Sequence, residues 1–86
     1  MNSTERILKA LANRRRLKIV SLLKTKRRAS VGELADNLKV TLPTTSKHLA
    51  ILAAADIVEY DRQSLLVYYR LADKLPSVVT ALLKFI

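Results

Sequence analysis

The decisive stretch is Ser30-Val31-Gly32-Glu33-Leu34-Ala35-Asp36-Asn37-Leu38, a break at Lys39-Val40, and then Thr41-Leu42-Pro43-Thr44-Thr45-Ser46-Lys47-His48-Leu49-Ala50-Ile51-Leu52. Ser30 and Glu33 have the spacing of a capping box, and Val31, Leu34, Ala35 and Leu38 recur at i, i+3, i+4 and i+7. A short helix follows from that pattern. Thr41 can cap a second helix. Pro43 is tolerated only in a first turn, where its missing N–H has no helical partner. At about 100° per residue, Thr45, Leu49 and Leu52 lie within about 60° of one another and face inward. Pro43, Thr44, Lys47 and Ala50 then point away, and the helix runs to about Ala55.

Downstream the period changes. Ile57 to Arg62 and Leu65 to Leu71 are rich in β-branched and aromatic residues around Gln63-Ser64, which predicts a two-stranded hairpin. Leu75, Val78, Val79, Leu82, Leu83 and Ile86 then recur at helical spacing with Phe85 beside them. This predicts a last helix over 74–86 that is too apolar to face water. Upstream, Asn2 and Glu5 form a possible capping box for a helix over 2–13 carrying Ile7, Leu8, Leu11 and Ala12. A further helix starts at Arg14, carries Leu17, Ile19, Val20, Leu22 and Leu23, and fades in Lys24-Thr25-Lys26-Arg27-Arg28.

Eighty-six residues make a single domain, 1–86, and 50% apolar with 27% charged residues is a globular composition. The chain has no Cys and one His, which removes thiol nucleophiles, disulfides and Cys-based metal sites. Oligomerisation is the staple left to so small a core. Met1 to Arg6 carries an acid and no signal-type apolar run, and no stretch reaches the roughly 18 apolar residues of a membrane span. The expectation is a protein neither secreted nor membrane-spanning, cytoplasmic by default.

The formal charge is +9, and it is unevenly placed: residues 1–28 hold ten basic residues and one acidic residue, whereas residues 29–86 hold six of each. Such an excess points to a polyanionic partner, nucleic acid before a membrane surface, with solubility as the plainer explanation. No nucleophile–base pair, carboxylate dyad or phosphate loop is visible, so no catalytic residue and no cofactor are expected.

Two short helices joined by a tight turn, the second followed at once by a hairpin, make a winged helix-turn-helix: mainly α with a small β-hairpin wing, in the order α-α-α-α-β-β-α. The second of those helices enters a DNA major groove in this architecture. The chain resembles the ArsR-type regulators through Leu8-Lys9-Ala10-Leu11-Ala12, Arg16-Leu17-Lys18-Ile19-Val20, Ser30-Val31-Gly32-Glu33-Leu34-Ala35, Ser46-Lys47-His48-Leu49-Ala50-Ile51-Leu52 and Val67-Tyr68-Tyr69-Arg70-Leu71. The resemblance implies a homodimeric regulator of transcription, usually a repressor, that binds double-stranded DNA. Its first and last helices would form the subunit interface, here Ile7, Leu8, Leu11, Leu75, Val78, Val79, Leu82, Leu83 and Ile86.

The family's base-reading region falls on Pro43, Thr44, Ser46 and Lys47. Hydroxyls serve several base edges, and Lys47 can donate to guanine O6 or N7. For Thr44 and Ser46 ordinary helix-start hydrogen bonding is the alternative. Phosphate contacts are expected from Lys26, Arg27, Arg28, Ser30, Thr41, His48 and Arg62. A solvated loop is the alternative for the three basic residues, and a half-buried structural role for His48. Arg14-Arg15-Arg16 opens a helix whose dipole opposes positive charge, so these three meet DNA, meet another acidic partner or are solvated.

Departures from the family pattern matter. Metal-sensing members carry Cys near the third helix or His and acidic pairs on the last one. Neither exists here, so no metal is expected. Lys39 and Asp56 stand where the family usually ends helices with Gly. The stretch Ala50 to Ala55 lacks the basic residues common there, and the wing offers Arg62 among Asp61, Gln63, Ser64 and Leu65. Few phosphate contacts there would lower affinity and flatten its salt dependence. The competing reading is a protein-interaction module using the last helix, Ile51, Leu65 and Leu66.

Overall fold

The computed structural model describes residues 3–86. Its elements are α1 (Ser3–Leu11), α2 (Arg14–Lys26), β1 (Arg28–Ser30), α3 (Val31–Leu38), α4 (Leu42–Ala54), β2 (Val58–Gln63), β3 (Leu66–Leu71) and α5 (Ser77–Leu82), closed by a 3-10 turn, Leu83–Phe85. Winged helix-turn-helix is the fold: α3 and α4 form the helix pair, and β2 and β3 form the wing. The proposed cap Asn2 lies outside the described residues.

Helix α2 starts at Arg14 as the sequence predicts, capped by the Asn13 side chain, which accepts from the N–H groups of Arg15 and Arg16. Four features differ from the sequence expectation. Helix α1 ends at Leu11, not at 13. The hairpin turn is Ser64-Leu65, one residue later than expected, because Gln63 pairs with Leu66. The last helix begins at Ser77, not at 74, since Pro76 disfavours helical backbone at Leu75. Finally, Arg28–Ser30 is a third strand. It is only three residues long and its antiparallel partner, β3, is distant in sequence, so no local pattern announces it.

The sheet order is β1-β3-β2. Alternation sorts its two faces: Ala29, Val58 and Leu71 pack on the helices, with Tyr60 and Tyr69 adjacent across the ladder at 5.5 Å between ring centroids. Arg28, Glu59, Asp61, Tyr68 and Arg70 share the outer face. The core joins Ile19, Val20 and Leu23 of α2, Leu34 of α3, Leu49 and Leu52 of α4, and Ile57. Ile7, Leu11 and Val79 also belong to it, at 7%, 5% and 1% exposure. These three were expected at a subunit interface, yet their side chains fill this subunit's own interior.

With one glycine in the chain, helix ends are closed by other means. Lys39 and Asp56 adopt φ of 58° and 60°. After α3 the N–H groups of Lys39 and Val40 both reach Ala35 O; after α4, Asp56 reaches Ala53 O and Ile57 reaches Leu52 O. These are the left-handed helix stops that glycine normally supplies. At α1 every orphan carbonyl is taken: Leu8 O by Ala12 N–H, Leu11 O by Asn13 N–H, and Lys9 O and Ala10 O by the Arg16 guanidinium.

A left-handed residue with a Cβ costs about 1–2 kcal/mol, against about 0.4–1 kcal/mol for the added unfolded-chain entropy of glycine. Lys39→Gly should therefore stabilise the fold by about 0.5 kcal/mol and raise Tm by about 2–4 °C in calorimetry. Asp56→Gly should gain less, because Asp tolerates this conformation better. A lowered Tm for Lys39→Gly would refute the account.

Candidate nucleic-acid interface

Helix α4 is positioned by its inner seam. Thr45, Leu49 and Leu52 are each fully buried. Thr45 needs a partner there, and its hydroxyl donates to Thr41 O at 2.9 Å. Thr41 is the N-cap: its hydroxyl accepts from Thr44 N–H at 3.3 Å and donates to the Thr44 hydroxyl at 3.0 Å. Pro43 sits in the first turn, as its chemistry requires.

The opposite face is open. Pro43, Ser46, Lys47 and Ala50 are exposed and Thr44 is half-buried. Thr44 is thus engaged in helix-start hydrogen bonding while its own hydroxyl proton stays free to donate. Among the described residues Ser46 and Lys47 have no side-chain hydrogen bond or ion pair, so Lys47 presents its full charge to solvent. Ile51 adds an exposed apolar spot at 43%.

The other basic residues are less free than their number suggests. Of the ten in residues 1–28, at least five have partners among the described residues. Arg16 holds the end of α1; Lys18 donates to Asn37 O near the end of α3 at 3.2 Å; Lys24 donates to Leu83 O at 2.6 Å and Ile86 O at 3.2 Å. Lys26 pairs with Glu33 at 3.7 Å, and Arg28 stacks on Tyr68 at 4.4 Å. Arg27 is exposed without an ion pair among the described residues, and Arg62 likewise on the wing. Ser30 completes a reciprocal capping box with Glu33. The β1 register sets Arg28 opposite Arg70, at the end of β3 away from the wing tip. Lys26, Arg27 and Arg28 therefore stand apart from Arg62, and the expected phosphate residues do not form one cluster.

Two centres escaped sequence reading. The first is Arg70, which gathers Asp61 and Glu59 at 2.8 Å each and Asp73 at 3.2 Å on the outer face of the sheet. Asp61 first, and then Glu59, push the guanidinium pKa up, and Glu59 is lowered by the Asp73 N–H and by Arg70. The acidic residues of the wing are thus neutralised locally, leaving Arg62 as its free charge. In the observed register Arg70 lies opposite Glu59 and diagonal to Asp61, whereas the turn expected at Gln63-Ser64 would set it opposite Ile57, so the offset of the turn hid this cluster. The second is Arg16, whose Nη1 donates to His48 Nδ1 at 3.4 Å and ties α2 to α4. Nothing local in the run Arg14-Arg15-Arg16 distinguishes it.

No group of three or more His, Asp or Glu side chains among the described residues could hold a metal ion. None of their helices is long and apolar enough to cross a membrane. His48 is held below its usual pKa of about 6.5, first by partial burial and then by the charges of Arg16 and Arg15. The unfolded chain therefore takes up a proton that the native state resists. Stability should fall as pH drops below about 6.5. Glu33, lowered mainly by the Ser30 N–H, and Glu59 act only further down, below about pH 4.5. Urea unfolding between pH 7 and 5 should show a slope for this chain and none for His48→Gln; equal slopes would remove the assignment.

Sequence and fold comparisons agree with this geometry. The profile of bacterial regulatory proteins of the arsR family matches residues 13–60, which contain α2 through the start of β2. The HTH-type transcriptional repressor SmtB of Mycobacterium tuberculosis is 42% identical over 73 residues, 85% of this chain and 53% of that protein. A biofilm growth-associated repressor of Agrobacterium fabrum is 39% identical over 77 residues, 88% of this chain and 65% of that protein. The chain thus spans about half to two thirds of the length of these relatives. Among solved structures, HlyU from Vibrio cholerae superposes with a TM-score of 0.82 at 32% identity, covering 96% of this chain and 86% of that one. The homodimeric winged helix-turn-helix DNA-binding domain of a possible ArsR-family regulator from Mycobacterium bovis gives 0.82 at 34% identity, covering 96% and 73%. A helix-turn-helix built around the buried seam of α4, matched over more than half its length and across its whole fold, places this chain in the arsR family of bacterial transcriptional regulators.

Proposed function

We propose that the chain is a homodimeric, cytoplasmic repressor that binds double-stranded DNA through α4 and senses no metal. The observation that carries this reading is the two-sidedness of α4, whose inner seam is sealed while Lys47 is exposed and uncompensated among the described residues. Pro43, Thr44, Ser46 and Lys47 meet base edges in the major groove, with Lys47 the principal reader. Arg62, Thr41 and His48 contact phosphates, with Lys26, Arg27, Arg28 and Ser30 contributing where the backbone curves past β1. The names of the M. tuberculosis and A. fabrum relatives support repression, although V. cholerae HlyU is named a transcriptional activator, and the M. bovis domain supports a homodimer, with half-sites about one helical turn apart. Repression follows by occlusion of the promoter.

The dimer contact is drawn from what the subunit leaves uncovered: Leu8 at 47% and Phe85 at 81% exposure, beside half-buried Leu75, Val78, Leu82, Leu83 and Ile86. Burying an aromatic side chain of this kind contributes about 1.5–3 kcal/mol per copy. Ile7, Leu11 and Val79 support that face from beneath. A second reading, a protein-interaction module, draws on a cleft of about 430 Å³ between α3, α4 and the wing, lined by Val31, Leu42, Leu65, Leu66 and Val67. Leu65 is 94% exposed at its rim.

In a salt titration on a duplex selected from a random pool, Lys47→Ala should weaken binding and relax base preference at its position in each half-site, whereas Arg62→Ala should reduce the log–log salt slope by about 0.9 per subunit. Absence of duplex binding by the unmodified chain at low salt would favour the interaction module. Phe85→Lys should shift sedimentation at micromolar concentration from dimer to folded monomer, and an unchanged dimer would contradict the assigned interface. Zinc and chelator should leave DNA affinity unaltered; a metal-dependent change would overturn the metal-independent reading.

A further inference from the structure

Arg16 makes contacts that serve two elements at once. Its Nε donates to Ala10 O at 2.6 Å and its Nη2 to Lys9 O at 3.2 Å, both at the end of α1, while Nη1 reaches His48 Nδ1 at 3.4 Å on α4. A guanidinium has donors and no acceptor, so Nδ1 accepts. The imidazole is then neutral and carries its proton on Nε2. Among the described residues Nε2 has no hydrogen-bond partner, and no half-buried residue leaves a side-chain polar atom both buried and unpaired. Nε2 therefore reaches solvent. His48 follows Lys47 directly and lies one turn beyond Thr44, at the border between the buried seam of α4 and its exposed face.

We propose that Arg16 is a positioning residue for DNA contact: it locks His48 as the Nε2–H tautomer, so that this proton donates to a DNA phosphate oxygen beside the groove occupied by α4. The inference rests on the reading of α4 as the DNA-contacting helix. Arg16 is suited to the task because its other two nitrogens are held by the Ala10 and Lys9 carbonyls at the end of α1, which leaves the guanidinium little freedom. Partial burial and the neighbouring positive charges keep the imidazole neutral at pH 7. A neutral donor strengthens a phosphate contact without releasing a counterion. His48 and Lys47, adjacent in sequence, thus contribute to binding in different ways.

Long-range ¹H–¹⁵N correlation spectra of the free full chain at pH 7.5 should show Nε2 protonated and Nδ1 bare, and Arg16→Met should give a mixture of tautomers. On the duplex from the random pool, His48→Ala should cost roughly five- to tenfold in affinity with an unchanged salt slope. His48→Gln, which keeps an N–H donor, should recover part of that loss. In a double-mutant cycle Arg16→Met and His48→Ala should be strongly non-additive. An Nδ1–H tautomer in the free chain, additive losses, or a full-affinity His48→Ala variant overturns the positioning role while leaving α4 as the DNA helix. Failure of the unmodified chain to bind duplex at low salt overturns that broader reading and the phosphate contact with it, whatever the tautomer.

Discussion

Everything functional in this molecule hangs on how α4 is seated. Three side chains, Thr45, Leu49 and Leu52, make its whole inner seam, and none of them is touched by water. Each buried Leu contributes about 1.5–3 kcal/mol relative to exposure, which matters in a domain whose total stability is about 5–15 kcal/mol. A hydroxyl in such a seam is tolerable only when paired, and Thr41 supplies the carbonyl. Thr41 thereby links the start of α4 to its burial: the residue that caps the helix also satisfies its deepest polar atom. Rotating the helix about its axis would leave that bond intact but expose Leu49 and Leu52, so the outward direction of Lys47 is fixed by the apolar interior.

The second organising feature is the scarcity of glycine. Helices that end without it must satisfy their last carbonyls otherwise, and two solutions appear side by side. Lys39 and Asp56 accept a left-handed backbone, while Arg16, Lys18 and Lys24 reach from α2 to carbonyls at or near the ends of α1, α3 and the C-terminal turn. Basic side chains suit this work because they meet the negative ends of helix dipoles. Helix α2 is thereby the hub of the fold in a polar as well as an apolar sense. Part of the charge excess is structural, and the electrostatic surface offered to a polyanion is smaller than the formal charge of +9 suggests.

The wing shows the same economy. Its acidic residues would repel a phosphate backbone if they were free, but Arg70 collects Glu59, Asp61 and Asp73 on the outer face of the sheet. These are exposed pairs, of modest value to stability. Their consequence is spatial: they concentrate compensated charge at the base of the wing and leave Arg62 and the apolar tip, Leu65, at its far end. Within α4 the contrast is sharper, since Lys47 stands between the exposed apolar side chains of Ala50 and Ile51 and the hydroxyl-rich first turn.

The sequence by itself determined the helix pair, the inward set Thr45, Leu49 and Leu52, the capping box at Ser30 and Glu33, and the wing. All of these are written in local spacing and in the conformational limits of single residues. Its weakest boundaries were those set by one overlooked residue, Pro76, or by pairing at a distance, as in β1 and the one-residue offset of the hairpin turn. Only the tertiary structure decided which apolar residues belong to the subunit's own core, since Ile7, Leu11 and Val79 share a helical period with neighbours that stay exposed. It alone also decided which cations are free, because whether an Arg meets a carbonyl, a carboxylate or water depends on elements up to dozens of residues away. Periodicity reports which face of a helix is apolar; it carries no information about what that face, or a long charged side chain, finally touches.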